Sequence, residues 1–213
     1  MNILTHEEIY RTEELIKKIS NASITVCGCG ALGSNLIDNM VRQGFSNITV
    51  IDMDRIEGHN RSTQIWETRD IGNLKAEKMK QKAYSATGTQ IISIAKELNE
   101  SNIEKFLRYD STIIDTFDNT KSRTLVYGHC KKNNIKCLHI GMHSDYAEII
   151  WNEYYTVPQT NTAIDVCEYP LARNIILLAV AVGTETLIKY INENKKYNYA
   201  ITLRDMKTSK LNY

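Results

Sequence analysis

The sequence predicts an α/β fold, a mostly parallel sheet with helices on both faces, and three observations carry that expectation. From Ile24 to about residue 142, short β-branched runs alternate with longer helical stretches, the rhythm of parallel strands joined by crossover helices. Between the first strand and the first helix lies a cluster of closely spaced glycines, the residue a sharp strand-to-helix turn demands. Apolar residues make up 42% and charged residues 24% of the chain, the balance of an ordinary globular protein and not of a disordered or fibrous one. At 213 residues there is room for one large core and no second full domain. The expected organisation is a single domain with a helical arm over 1–23, an α/β core over 24–142, and an extension with a crossing loop over 143–213.

Taken in order, residues 24–26 form a short strand that runs into the glycines. Residues 34–43 read as a helix, because Leu36, Ile37, Met40 and Val41 share one face at helical spacing. Gly44 then stands where a left-handed C-terminal cap is favoured. Residues 47–51 make the second strand and complete a βαβ unit. A helix over 75–86, strands over 90–97 and 112–116, a helix over 120–133 and a strand over 136–140 continue the rhythm. Beyond it the pattern changes to a C-terminal extension: one strand of a hairpin over 147–155, a polar crossing loop over 157–165, and a long apolar helix over 171–190. The polar residues 192–196 read as a surface turn.

Composition also excludes several classes. With 26 basic against 25 acidic side chains, no global field attracts nucleic acid or anionic lipid. The first eleven residues lack the apolar core of a secretory signal and the composition of a transit peptide, so the expected location is the cytoplasm. The longest apolar run, 175–182, has eight residues, short of the roughly 20 that span a bilayer; a buried helix and no membrane partner are expected. Five cysteines at irregular spacing do not make a disulfide framework. Cys27, Cys29 and Cys137 read as small core side chains.

Gly28-Cys29-Gly30-Ala31-Leu32-Gly33 matches G-x-G-x-x-G between a strand and a helix. In that context the glycines let a phosphate approach bare backbone at a helix N-terminus, which makes the fold class Rossmann-like. Asp52 closes the second strand, near the spacing of ~20 residues after the glycines at which a carboxylate grips a ribose hydroxyl. The fingerprint alone leaves a dinucleotide and ATP equally open.

The residues that follow carry a family resemblance. They are Asp52-Met53-Asp54-Arg55-Ile56, then His59-Asn60-Arg61-Ser62-Thr63-Gln64, then Gly72-Asn73-Leu74-Lys75, and finally Asp115-Thr116-Phe117-Asp118-Asn119 with Arg123 downstream. In order and spacing this set resembles the ThiF/MoeB/HesA family of ubiquitin-activating-enzyme-like adenylyltransferases, over about Val26 to Lys189. The resemblance implies ATP at Gly28, Gly30 and Gly33, with Asp52 on the ribose and Asn60 and Lys75 at the phosphates. It implies Asp54, Arg61, Gln64 and Asn119 as further nucleotide-binding residues, and Asp118 as the residue that holds Mg²⁺ or faces the reacting phosphate. It further implies Lys75, Asp118 and Cys167 as the catalytic set, and a homodimer in which an amino-terminal arginine, here Arg11, reaches the partner's site. Carboxylate attack on an α-phosphate brings anions together, so a lysine and a metal are the expected means of offsetting charge. Taken singly, Lys75 reads as a solvated residue at a helix start and Asp118 as an N-cap.

Several positions depart from the family pattern. Counting from Asn60, the place of the family arginine holds Thr63, and Arg61 lies two residues earlier. The family's paired C-x-x-C zinc ligands are missing, and no structural zinc is expected. Cys167 lies where ThiF-like proteins carry an acyl-accepting thiol, but Asp165 and Glu168 beside it would raise its pKa. The apolar helix and the stretch 151–155 suggest surface for a second copy. Three functions stay open: an ATP-dependent adenylyltransferase acting on the terminal carboxylate of a small ubiquitin-like sulfur carrier, a peptide-modifying adenylase of natural-product type, and an NAD-binding oxidoreductase or non-catalytic nucleotide-binding module.

Overall fold

A computed structural model describes residues 2–159 and 170–212. Helices α1 (Thr5–Arg11) and α2 (Glu13–Asn21) precede β1 (Ile24–Cys27), α3 (Ala31–Arg42) and β2 (Ile48–Ile51). Next come α4 (Lys75–Thr87), β3 (Ile92–Ile94), α5 (Ile103–Phe106), β4 (Thr112–Asp115), α6 (Thr120–Lys132) and β5 (Cys137–His143). Strand β6 (Tyr146–Trp151), helix α7 (Arg173–Glu193) and the strands β7 (Asn198–Thr202) and β8 (Lys207–Leu211) complete the described chain.

All the strands join one sheet in the order β3-β2-β1-β4-β5-β6-β7-β8. The first five in that order run parallel, and β6, β7 and β8 add on antiparallel. The α/β, Rossmann-like expectation therefore holds. From β1 the chain winds outward through β2 to β3, then returns to the other side of β1 as β4. That reversal opens a crevice above the carboxyl ends of β1 and β4, the place where open α/β sheets take their ligands.

Side chains alternate across the sheet as strand geometry requires. Ile24 and Val26 of β1, Ile48 and Val50 of β2, Ile114 of β4, and Leu138 and Ile140 of β5 bury against α2, α3, α4 and α7. Cys27, Ile51, Ile113 and Cys137 face the opposite way and pack with Ile103, Leu107, Val126 and Cys130. The expected apolar face of α3, Leu36, Ile37, Met40 and Val41, is buried throughout. Gly44 sits at φ +97, the left-handed conformation its cap position predicted.

Helix α7 is the one helix among the described residues long and apolar enough to match a bilayer span. Its apolar residues, among them Ile175, Ile176, Ala179, Leu187 and Ile188, lie in the same core as the strands of the sheet, which accounts for its composition.

The structure corrects the sequence reading at four places. Strand 90–97 shortens to Ile92–Ile94, because β3 is an edge strand that pairs only with Thr49, Val50 and Ile51 of β2. The strand expected over 147–155 ends at Trp151, where the chain enters a turn. Two strands that no apolar pattern announced, β7 and β8, follow the turn after α7; Lys207–Leu211 is polar on both faces because it forms the outer edge. Within the stretch 151–155, Trp151 and Tyr155 are buried in the chain itself and Tyr154 alone of its aromatic residues is exposed, so it offers less apolar surface to a second copy than expected. The amino-terminal arm consists of two helices that meet at Thr12, with φ 78. It folds back so that Arg11 donates to both carboxylate oxygens of Glu185 on α7, at 3.1 and 2.7 Å, and to Glu7 at 2.6 Å.

Candidate functional site

The crevice is built around the turn after β1. Gly28 adopts φ +96, and its N–H donates to the Ile51 carbonyl at 2.9 Å, tying the turn to the end of β2. Gly33 is required by proximity, since a Cβ there would lie 2.1 Å from the Gly28 carbonyl oxygen. Gly30 is different. It stands at φ −81 and ψ −145, and a Cβ there would meet nothing within 4 Å. It caps the N-terminus of α3, and its bare backbone leaves the approach to the first amides clear.

Asp52 braces this turn. Its Oδ2 accepts from the Cys29 N–H at 2.6 Å and its Oδ1 from the Asp54 N–H at 2.8 Å. Burial raises its carboxyl above the usual range, and the nearby Lys75 charge with the two backbone donors pulls it part of the way back. Lys75, the first residue of α4, is nearly buried and its Nζ lies 3.0 Å from Asp54 Oδ2. Burial opposes its charge, but Asp52 and Asp54 outweigh that effect and hold the ammonium above its usual range. The Lys75 carbonyl also lies 4.0 Å from Cys29 Sγ, so the start of α4 and the glycine turn are in direct contact. The glycines, Asp52, Asp54 and Lys75 are thus brought into one site.

Between Asp54 and Lys75 the chain forms a 3-10 turn, Gly58–Ser62. Asn60 folds inward, its Oδ1 accepting from the Glu57 N–H at 2.9 Å. Gln64 is also buried and accepts from the Trp66 indole N–H. Arg61 points outward and donates to Thr68 Oγ1 at 2.7 Å and to the Gly58 carbonyl at 3.2 Å. Thr63, at the family arginine's place, contributes its carbonyl, which accepts from Asn35 Nδ2 on α3 at 2.9 Å.

Across the crevice, the loop after β4 lies against the glycine turn. Thr116 Oγ1 donates to the Cys27 and Gly28 carbonyls at 2.9 and 3.2 Å. Asp118 is exposed on this loop. Asn119, and not Asp118, is the N-cap of α6, its side chain accepting from the Ser122 N–H at 2.8 Å. Cys167, with Asp165 and Glu168, lies outside the described residues.

Sequence reasoning did not find the buried polar cluster that holds this loop. Asp115 accepts from the Phe117 N–H at 3.1 Å through Oδ1, which shapes the turn leading to Asp118. Its Oδ2 meets His139 Nδ1 at 2.8 Å, with the Arg123 guanidinium 3.6 Å away. Arg123 also donates to the Tyr155 hydroxyl at 3.0 Å and to the Ile140 carbonyl at 2.9 Å. The His139 ring stacks on Tyr155 at 3.7 Å between centroids, and its Nε2 lies 2.7 Å from Asn152 Oδ1. Burial drives the Asp115 carboxyl upward, yet Arg123 and His139 more than offset this and hold it below its usual range. Burial also pushes the Tyr155 hydroxyl up, to about 12. The available signal was an ionisable residue in each of two otherwise largely apolar strands, Asp115 at the end of β4 and His139 inside β5, but only the β4–β5 register, which sets Asp115 opposite His139, pairs them.

Comparison with known proteins identifies the family and the fold. The ThiF family profile matches residues 5–203. Curated relatives include a tRNA threonylcarbamoyladenosine dehydratase of Haemophilus influenzae, 30% identical over 134 residues, which cover 61% of this chain and 51% of that protein. A sulfur carrier protein adenylyltransferase of Thermus thermophilus is 30% identical over 113 residues, 52% of this chain and 41% of that protein. The chain thus spans about half the length of the curated relatives it matches. Among solved structures, Escherichia coli MccB with ATP superposes with a TM-score of 0.82 at 19% identity, covering all of this chain and 71% of that one. At that identity the likeness establishes the fold.

Proposed function

The chain belongs to the ThiF family, and from that premise we propose that it is an ATP-dependent adenylyltransferase. Its substrate in this reading is the terminal carboxylate of a small ubiquitin-like carrier protein or of a peptide. A carboxylate oxygen attacks the α-phosphorus of ATP, the bond from that phosphorus to the bridging oxygen breaks, and pyrophosphate leaves with the electron pair as the acyl-adenylate forms. The observation that carries the reading is Gly30, whose missing side chain leaves open space at a helix N-terminus beside Asp52 and Lys75.

Each residue then has a role that its surroundings support. The first amides of α3 receive phosphate oxygens. Asp52 holds the turn through one lone pair of each oxygen and retains acceptor capacity for a ribose hydroxyl. Lys75, kept charged by its carboxylate neighbours, offsets the charge of departing pyrophosphate. Mg²⁺ takes hard oxygen ligands and commonly one or two carboxylates with phosphate oxygens and water. The exposed Asp118 at the mouth of the crevice fits that demand, and the ion would supply further charge neutralisation there. A homodimer belongs to the proposal as well, with the exposed Ile9 and Tyr10 of α1 as apolar surface for a second copy to cover.

Pyrophosphate exchange from Mg-ATP tests the reading, with a panel of small carriers and peptides ending in free carboxylates. Exchange with a panel member supports adenylation and identifies the substrate class. Absence of ATP binding in calorimetry, or NAD binding that ATP does not compete away, overturns it. The dehydratases among the relatives favour a second substrate class, a modified tRNA, so tRNA belongs in the same panel. Cys167→Ala separates a reaction that ends at the adenylate, which the variant retains, from one that passes the acyl group to sulfur, which it loses.

A further inference from the structure

We infer that Arg173, at the start of α7, is a phosphate-contacting residue that gives the site its preference for a nucleoside triphosphate over a monophosphate. The inference rests on the nucleotide-binding reading above and adds a residue to it. A triphosphate is a polyanion, yet Lys75, the cation nearest the glycine turn, is already engaged by Asp54 at 3.0 Å and flanked by Asp52. Of the other arginines, Arg11 is held by Glu7 and Glu185, Arg69 by Glu67, Arg55 by the Gly72 carbonyl, and Arg61 by Thr68 and the Gly58 carbonyl.

Arg173 stands apart from these. Its guanidinium donates to the Ser62 carbonyl at 3.3 Å. The next residue, Thr63, is bound through its own carbonyl to Asn35, whose amide also donates to the Ala31 carbonyl in the first turn of α3. Arg173 is therefore tied, through two adjacent carbonyls, to the helix turn whose amides the Gly30 opening leaves clear. It is exposed, and among the described residues no ion pair engages it. It is also a cation in the first turn of a 21-residue helix that has no acidic residue there, where the helix dipole disfavours positive charge. A bound anion relieves that conflict, and the dipole of α7 and the guanidinium then attract the same ligand. The single bond to Ser62 uses one of the five donors of the fork and leaves a planar group that matches phosphate geometry.

Calorimetric titration of the full chain with ATP and with AMP, for the wild type, Arg173→Ala, Arg173→Lys and the double variant Arg173→Ala with Thr63→Arg, tests the inference. The expected result for Arg173→Ala is an ATP dissociation constant raised about 10-fold or more, as for loss of a charged hydrogen bond, with AMP binding changed less than about twofold. Arg173→Lys retains part of the preference, and an arginine at position 63 restores ATP binding to the alanine variant. Equal losses for ATP and AMP, or a lowered thermal midpoint without nucleotide as the only effect, would assign Arg173 to bracing the Gly58–Ser62 turn and overturn the inference. Unchanged ATP binding overturns it too. A wild-type chain that binds neither nucleotide removes the underlying nucleotide reading instead, which keeps the two failures distinct.

Discussion

Replacing Gly30 by alanine separates the needs of the fold from those of the ligand. The backbone at Gly30 has φ −81 and ψ −145, and an added Cβ meets nothing within 4 Å. With no clash to relieve, the cost to folding is that of giving up glycine at a helix N-cap, roughly 1 kcal/mol. Folding stability should therefore stay within about 2 kcal/mol of the wild type. Binding is another matter, because the methyl group stands where a phosphate must approach the first amides of α3. Losing one hydrogen bond to a charged group costs about 1.5–3 kcal/mol, or roughly 10- to 150-fold in the ATP dissociation constant. Gly33→Ala provides the contrast: its Cβ would lie 2.1 Å from the Gly28 carbonyl oxygen, so the turn and α3 must separate at a cost of about 1–3 kcal/mol or more. Urea denaturation reads the first quantity and calorimetric titration with ATP the second. A Gly30→Ala protein of unchanged stability that binds ATP within about twofold of the wild type would refute the argument that phosphate approaches the backbone there.

Four further outcomes follow from the same geometry. Lys75→Ala should abolish pyrophosphate exchange while the far-UV spectrum stays native, and near-normal exchange in that variant would remove Lys75 from the chemistry. Asp118→Asn should raise the Mg²⁺ concentration needed for half-maximal exchange, and an unchanged Mg²⁺ dependence would count against Asp118 as the metal ligand. The Asp115 cluster makes a prediction about pH: with its folded-state carboxyl held below the usual range by Arg123 and His139, it contributes stability above the unfolded value of about 4 and loses it as pH falls through the folded value. The stability advantage of the wild type over Asp115→Asn should shrink between neutral pH and pH below ~4, and a gap that does not vary with pH would contradict the assignment. Arg123→Ala, which leaves the buried Asp115 carboxylate with only His139 and the Phe117 N–H, should cost about 3–5 kcal/mol in urea denaturation.

The local pattern of residues was enough to determine the α/β class, the first βαβ unit, the glycine turn and the positions of Asp52 and Lys75. Those features depend on contacts close in sequence or on spacing that one strand-turn-helix unit dictates, as in the Leu36, Ile37, Met40 and Val41 face of α3. Strands β7 and β8 escaped notice because Lys207–Leu211 lies at the sheet edge and buries too little to show an apolar period. The distinct status of Gly30 was equally hidden: all three glycines look alike in the motif, and only the folded turn tells that Gly28 answers to φ, Gly33 to packing, and Gly30 to a helix N-cap with open space around it. The grouping of Asp115, Arg123, His139, Asn152 and Tyr155, and the approach of Arg173 to Ser62 across 111 positions of chain, were decided by tertiary structure alone. The physical reason is common to both. Strand register and helix docking are set by burial of the whole core, a non-directional force summed over many residues, and that sum, with no local signal, determines which distant polar groups come within hydrogen-bonding reach.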